Sequence, residues 1–221
     1  GEITYRCLGD STYEVTLSVY RDCYNGQPPF DSIGNVGVYD STTWELIQWL
    51  RPRFIEGKDD TLPIVLTNPC LVAPPDVCVH RYVYRDTVIL PFKKGGYTLV
   101  YQRCCRNTLI RNLVSPLDVG ASYTAHIGEE TLLRCNSSAL FKSWPPVAIC
   151  IHQPVNFDHG AIDADGDSLV YRLCTPLTGA TPGLPLPQPP NPGPYVEVPW
   201  QDPPYNLTNV LGGDPLKLDP K

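Results

Sequence analysis

Apolar and polar residues alternate cleanly near the start of the chain. Tyr13, Val15, Leu17 and Val19 fall on one face, and Glu14, Thr16 and Ser18 on the other. That is the period-two pattern of a half-buried strand. Ile3, Tyr5 and Cys7 alternate in the same way, and Gly9-Asp10-Ser11-Thr12 between the two runs predicts a hairpin. Further strand-like runs cover residues 35–39, 43–50, 63–67, 78–84, 87–92, 97–104 and 121–127. Turn formers separate them, among them Asn25-Gly26, Lys58-Asp59-Asp60 and Lys94-Gly95-Gly96. No window carries a helical stripe. The best candidate, 43–50, is rich in Trp and Ile and reads better as a strand or a single turn. The expected fold class is all-β: two antiparallel immunoglobulin-like β-sandwich modules, stapled by disulfides.

The pattern breaks after Gly128-Glu129-Glu130, and residues 136–146 are polar and irregular, closing on Trp144-Pro145-Pro146. This predicts an N-terminal sandwich over 1–130, a linker over 131–146 and a second module over 147–221. Residues 182–204 hold ten prolines. Each proline removes a backbone donor, so this stretch cannot be an inner strand. It is either a polyproline II excursion or a long ordered loop, with Tyr195-Val196-Glu197-Val198 as a candidate edge strand. Pro215-Leu216-Lys217-Leu218 reads as the start of a late strand, which leaves the second module short of its last strand or two.

Composition narrows the class. Apolar residues make up 42% of the 221 and charged residues 18%, so the chain can bury a core and escape global disorder. A net charge of −6 argues against nucleic acid as a partner, since that needs a basic face. No stretch of about 18 apolar residues offers a membrane span. There is no methionine and no signal-peptide pattern, and Gly1 reads as lying near a mature terminus left after export.

Nine cysteines with no Cys-x-x-Cys pair argue for disulfides of an oxidising compartment and against a zinc ribbon. Cys70 and Cys78 bracket a loop short enough to staple. Cys150 and Cys174 flank a turn in the second module. Cys104 and Cys105 would face opposite ways on a strand and so bond different partners, Cys7 and Cys23 being the natural ones. The rival is a bridge between the adjacent pair itself. Cys135 is left over, either free or linking subunits.

The turn between Cys150 and Cys174 is the most informative stretch. Two short apolar runs, 154–157 and 169–173, flank Asp163, Asp165 and Asp167 at every second position, with Gly166 where φ > 0 is wanted. With Asp158, these aspartates form a candidate Ca²⁺ shell of hard oxygen donors. The spacing is not that of an EF-hand, and the alternative is a turn whose carboxylates cap backbone amides.

Ile162-Asp163-Ala164-Asp165-Gly166-Asp167-Ser168-Leu169 resembles the acidic turn of bacterial immunoglobulin-like and cadherin-like modules. Residues 1–23, with Gly-Glu-Ile-Thr-Tyr-Arg-Cys-Leu-Gly and Tyr-Glu-Val-Thr-Leu-Ser-Val-Tyr-Arg-Asp-Cys, look like the start of large Bacteroidetes surface proteins associated with gliding motility and type IX secretion. Cys135-Asn136-Ser137-Ser138, Phe157-Asp158-His159, Cys174-Thr175-Pro176 and Leu211-Gly212-Gly213-Asp214 extend the likeness along nearly the whole chain. The resemblance implies an exported cell-surface or fibre-forming glycoprotein with no known catalytic activity. It also implies O-glycosylation at Asp-(Ser/Thr)-apolar sites: Ser32, Thr61, Thr87 and Ser168 fit, and loop exposure favours the first two.

No His-Glu-x-x-His or Gly-x-Ser-x-Gly motif occurs, and His80, His126, His152 and His159 are scattered. The chain therefore reads as a structural or adhesive protein, not an enzyme. Its expected partners are copies of itself or neighbouring surface proteins, and an unfinished sheet that accepts a strand would build filaments. The alternative is a carbohydrate-binding module. There glycans would stack on some of Trp44, Trp49, Trp144 and Trp200.

Overall fold

A computed structural model describes residues 1–24, 26, 29–55, 60–64, 72, 77–149 and 153–218. In chain order its elements are β1 (Glu2–Gly9), β2 (Thr12–Asp22), β3 (Val36–Asp40), β4 (Leu46–Leu50), β5 (Arg53–Phe54), β6 (Asp60–Thr61), β7 (Val79–Ile89), β8 (Tyr97–Arg103), a 3-10 turn (Pro116–Asp118), β9 (Ala121–Ile127), α1 (Glu129–Arg134), β10 (Leu140–Phe141) and β11 (Ala161–Ile162). All strand pairing is antiparallel. Among the described residues the fold is all-β apart from one short helix and the 3-10 turn.

The described residues group into two compact units, each assembled from three pieces of chain. The first takes Gly1–Gly34, Arg51–Leu90 and Arg134–Asp167; the second takes Asn35–Leu50, Pro91–Leu133 and Ser168–Lys221. This differs from the serial division at 131–146. The physical reason is that antiparallel sheets recruit strands distant in sequence, so a break in local pattern need not be a break in structure.

In the first unit the strand order is β1-β2-β7-β5, with β6 also on β7. The β1–β2 hairpin turns through Asp10 and Ser11, both with positive φ, the twist two-residue hairpins favour. Tyr13, Val15 and Leu17 are fully buried, as their alternation requires. Ser18 breaks the rule. It is buried too, and its hydroxyl accepts a hydrogen bond from Arg81 Nη2 at 3.3 Å. β2 and β7 pair without interruption from Thr12↔Ile89 to Asp22↔Val79. Runs 78–84 and 87–92 are therefore one strand. Arg85 is turned outward, its guanidinium 3.5 Å from Glu14.

In the second unit the order is β4-β3-β8-β9. β3 is buried at every position and β8 at all but Arg103. The turn after β3 is held by the Asp40 carboxylate. Its Oδ1 accepts from Thr42 N (2.7 Å), Thr42 Oγ1 (2.6 Å) and Thr43 N (3.1 Å), and its Oδ2 lies 2.7 Å from Lys93 Nζ. Lys93 first, then the Thr42 donors, hold this carboxyl well below the usual range, and Asp40 in return raises Lys93. A depressed carboxyl stabilises the fold above its unfolded pKa of about 4, and that contribution is lost as pH falls towards its folded value. We expect Asp40→Asn to flatten the acid side of the thermal-midpoint profile, measured by melting across pH. A profile parallel to wild type would refute the assignment.

The proline-rich segment is an ordered loop of this second unit, of the two forms left open by sequence. Asn35 Nδ2 donates to Pro187 O at 2.5 Å, Tyr39 Oη donates to Pro190 O, and Cys104 N donates to Pro185 O at 2.9 Å. Gln102, 1% exposed, accepts from Asn191 N at 2.8 Å through Oε1 and donates to Ser122 Oγ at 2.9 Å through Nε2. The loop's prolines lack donors, so their carbonyls accept from Tyr39 of β3, from Asn35 just before it and from the backbone N–H of Cys104 just past β8. Residues 195–198 lie along 176–178 through Thr178 N→Val196 O and Val198 N→Pro176 O, and Leu177 bridges to Ser122 of β9.

No second sandwich is formed by the described residues after 147. They carry β11 and isolated bridges only, and runs 154–157 and 169–173 are not strands. Run 154–157 opens on Pro154, which brings no donor to a ladder, whereas run 169–173 has its donors but buries little, Val170 being 94% exposed. Run 63–67 lies partly outside the described residues, and its described part, Pro63 and Ile64, is not strand.

Candidate functional site

Among the described residues, three disulfides define the crosslinking. Cys23 and Cys78 lie just past the last β2–β7 pair, where Cys23 N also donates to Cys78 O at 3.2 Å; they are bonded. This corrects the Cys70–Cys78 staple: strand register, not loop length, chooses the partner. Cys70 lies outside the described residues. Cys7 is bonded to Cys135, the residue expected to be left over. The cause is the segment after α1, which runs along the outer edge of β1. There Tyr5 N donates to Ser138 Oγ (2.9 Å), Ser138 N to Tyr5 O (2.9 Å) and Cys7 N to Ser137 Oγ (3.3 Å). Cys104 and Cys105 are bonded to each other across a cis peptide, not to Cys7 and Cys23. They follow the end of β8, so strand alternation does not separate them. Cys174 is an exposed free thiol, and Cys150 lies outside the described residues.

The acidic turn uses its carboxylates on amides. Asp163 Oδ1 accepts from Asp165 N (2.9 Å) and Asp167 N (3.1 Å), and Asp158 Oδ1 accepts from Gly160 N (2.8 Å). Asp165 Oδ2 accepts from Ser137 N (2.6 Å), and Asp167 Oδ2 from Asn136 Nδ2. Gly166 has the expected positive φ, +82°. The turn thus docks onto the Cys135–Ser138 segment and, through it, onto β1. Among the described residues, the one trio of donor atoms within 4.8 Å of one another is Cys23, Cys78 and His80. Two of its atoms are the sulfurs of a disulfide, which offer no thiolate to a metal. Asp158, Asp163, Asp165 and Asp167 are not brought together as such a set.

Ser32, Thr61 and Thr87 are all exposed, and so is Ser168. Ser32 lies in a bend, whereas Thr61 is in β6 and Thr87 in β7. His126 is exposed on β9, with Nδ1 3.1 Å from Ser41 Oγ.

The four tryptophans separate clearly. Trp44 packs edge-on to Tyr195 and tilted to Tyr39. Trp49 donates its indole N–H to Asn35 Oδ1 at 2.5 Å, and Trp200 covers the Leu113–Val119–Val198 cluster. Trp144, 44% exposed, lines a basin of about 550 Å³ in the first unit with Glu2, Tyr20, Arg81, Phe141 and His159. Sequence reading treated 131–146 as a linker and so missed this basin; Phe141 and Trp144 close together in a polar stretch were the available signal.

The basin has a built polar floor. Tyr20 Oη donates to Glu2 Oε1 at 2.6 Å. Burial first, then the Glu2 carboxylate, push this phenol up to about 12. A raised acid stabilises the fold fully below its unfolded pKa of about 10, and the contribution is lost as pH rises from there towards 12. The Arg81 guanidinium lies 5.5 Å from the Trp144 ring centroid, and Phe141 stacks on His159 at 4.5 Å. Comparison with protein-family models, with characterised proteins and with solved structures gives no match to this chain.

Proposed function

We propose that this chain is an extracellular structural or adhesive module of a bacterial surface, acting by binding and assembly rather than by catalysis. The observation that carries the reading is the Cys7–Cys135 bridge. It ties the first strand to residues 128 positions later and clamps the segment that seats the acidic turn. Crosslinks of this reach belong to compartments where thiols oxidise. The Bacteroidetes-like motifs at the start of the chain support the same setting.

The sharper form is a fibre subunit that joins its neighbours by strand addition. It is supported by β4, which ends its sheet and exposes Leu46 and Ile47. Ile47 is the extra residue of a bulge against β3, so regular pairing there covers Gln48–Leu50. Negative-stain microscopy and light scattering of the native material test both forms. We expect surface location, and filaments that a lysine at Ile47 shortens. Monodisperse monomers at high concentration would remove the fibre. Reduced thiols and a cytosolic location in the source cell would remove the whole reading.

A further inference from the structure

We infer that the basin of the first unit is a saccharide-binding site, with Trp144 as its stacking platform and the Glu2–Tyr20 pair as its polar anchor. The inference rests on the adhesive reading and supplies it with a ligand class.

The lining chooses the chemistry. A sugar ring has an apolar C–H face and a rim of hydroxyls that both donate and accept. Its site must offer an open aromatic face next to mixed polar groups. Trp144 is 44% exposed and Phe141 54% exposed, so ring surface is available to solvent. Arg81 lies against the Trp144 ring, holding the indole in place with one cation–π contact. Glu2 and Arg81, at the same basin, give an acceptor and a donor of opposite charge, and Lys142 and Ser143 add donors at the rim. A lipid chain would meet the Tyr20–Glu2 pair and leave its polar atoms poorly matched. A strongly anionic ligand would meet the Glu2 carboxylate. A neutral oligosaccharide suits both halves of the lining.

The remaining tryptophans do not compete for this role. Trp44 and Trp200 are packed into the second unit, and Trp49, 37% exposed, lies on β4 and is not part of the basin's lining. The distinction between Trp144 and Trp49 also gives the experiment its control.

The test is isothermal titration of the full chain with cellohexaose, laminarihexaose, maltohexaose and chitohexaose. At least one should bind, and Trp144→Ala should weaken it by about tenfold or more, the scale of one lost aromatic stacking contact. Trp144→Phe should recover part of the affinity, and Trp49→Ala should leave it unchanged. Circular dichroism and the melting midpoint establish that each variant is folded, and Phe141→Ala serves as second variant should Trp144→Ala not fold. No binding to any of the four sugars, or binding indifferent to both Trp144 and Phe141 changes, overturns the site while leaving the disulfide-braced surface module standing. Release of new reducing ends from a bound probe would instead overturn the non-catalytic reading itself.

Discussion

Replacing Cys7 and Cys135 together with alanine should lower the free energy of unfolding by about 4 kcal/mol. The bridge spans 128 residues, and the chain-entropy model gives nearly its largest values for closures this long. The Cys23–Cys78 bridge lies inside the same span and already shortens the free chain, which trims the effect only modestly because closure entropy grows with the logarithm of length. The loss is also local. The Ser137 and Ser138 hydroxyls hold the outer edge of β1, and Ser137 N holds Asp165. Hydrogen exchange should therefore quicken first at Tyr5, Cys7, Ser137 and Ser138, before the β2–β7 ladder. Denaturant unfolding with and without the pair measures the global term. An unchanged midpoint would mean that this bridge is not formed in the native protein.

Gln102→Leu should cost about 2–3 kcal/mol, a large effect for a side chain whose volume barely changes. Gln102 is buried, and its amide is bonded at both ends, to Ser122 Oγ and to Asn191 N. Leucine leaves the Ser122 hydroxyl without that partner in a buried setting and the Asn191 amide without its own in a part-buried one, and the penalty of unmade bonds exceeds the small gain in apolar contact. Ser122→Ala should cost less, since it removes one bond and leaves the loop amide satisfied. Chemical denaturation measures the size. Exchange at Asn191 checks the mechanism: if that amide stays protected in Gln102→Leu, Gln102 is not what pins the proline-rich loop.

The strands were legible wherever one face is wet. Tyr13, Val15 and Leu17 announce β2, and residues 121–127 coincide with β9. They were less legible where Arg85 and Asp86 interrupt an apolar run, because the ion pair of Arg85 with Glu14 belongs to the neighbouring strand and not to the local pattern. Disulfide partners were hidden for the same reason. Cys23 meets Cys78 only once β2 is known to pair with β7, and local spacing carries no such information. In the acidic turn, sequence left two uses for the same carboxylates, a cation or backbone amides. Asp163 and Asp158 accept from amides of their own turn, whereas Asp165 and Asp167 reach Ser137 and Asn136, about thirty residues upstream, which local pattern does not reveal. The basin was hardest to see. Its walls come from β1, β2, β7, β10 and the stretch after β10, and of four tryptophans only the folded chain shows which one lines it.

The long reach of Cys7 shapes how the molecule matures. A chain threaded out N-terminus first presents Cys7 and Cys23 to the oxidant well before Cys78 and Cys135 emerge. On that route a bond closed first between Cys7 and Cys23 would have to be undone by thiol–disulfide exchange before Cys7–Cys135 and Cys23–Cys78 could form. A host that oxidised the chain during such release would then need an isomerase.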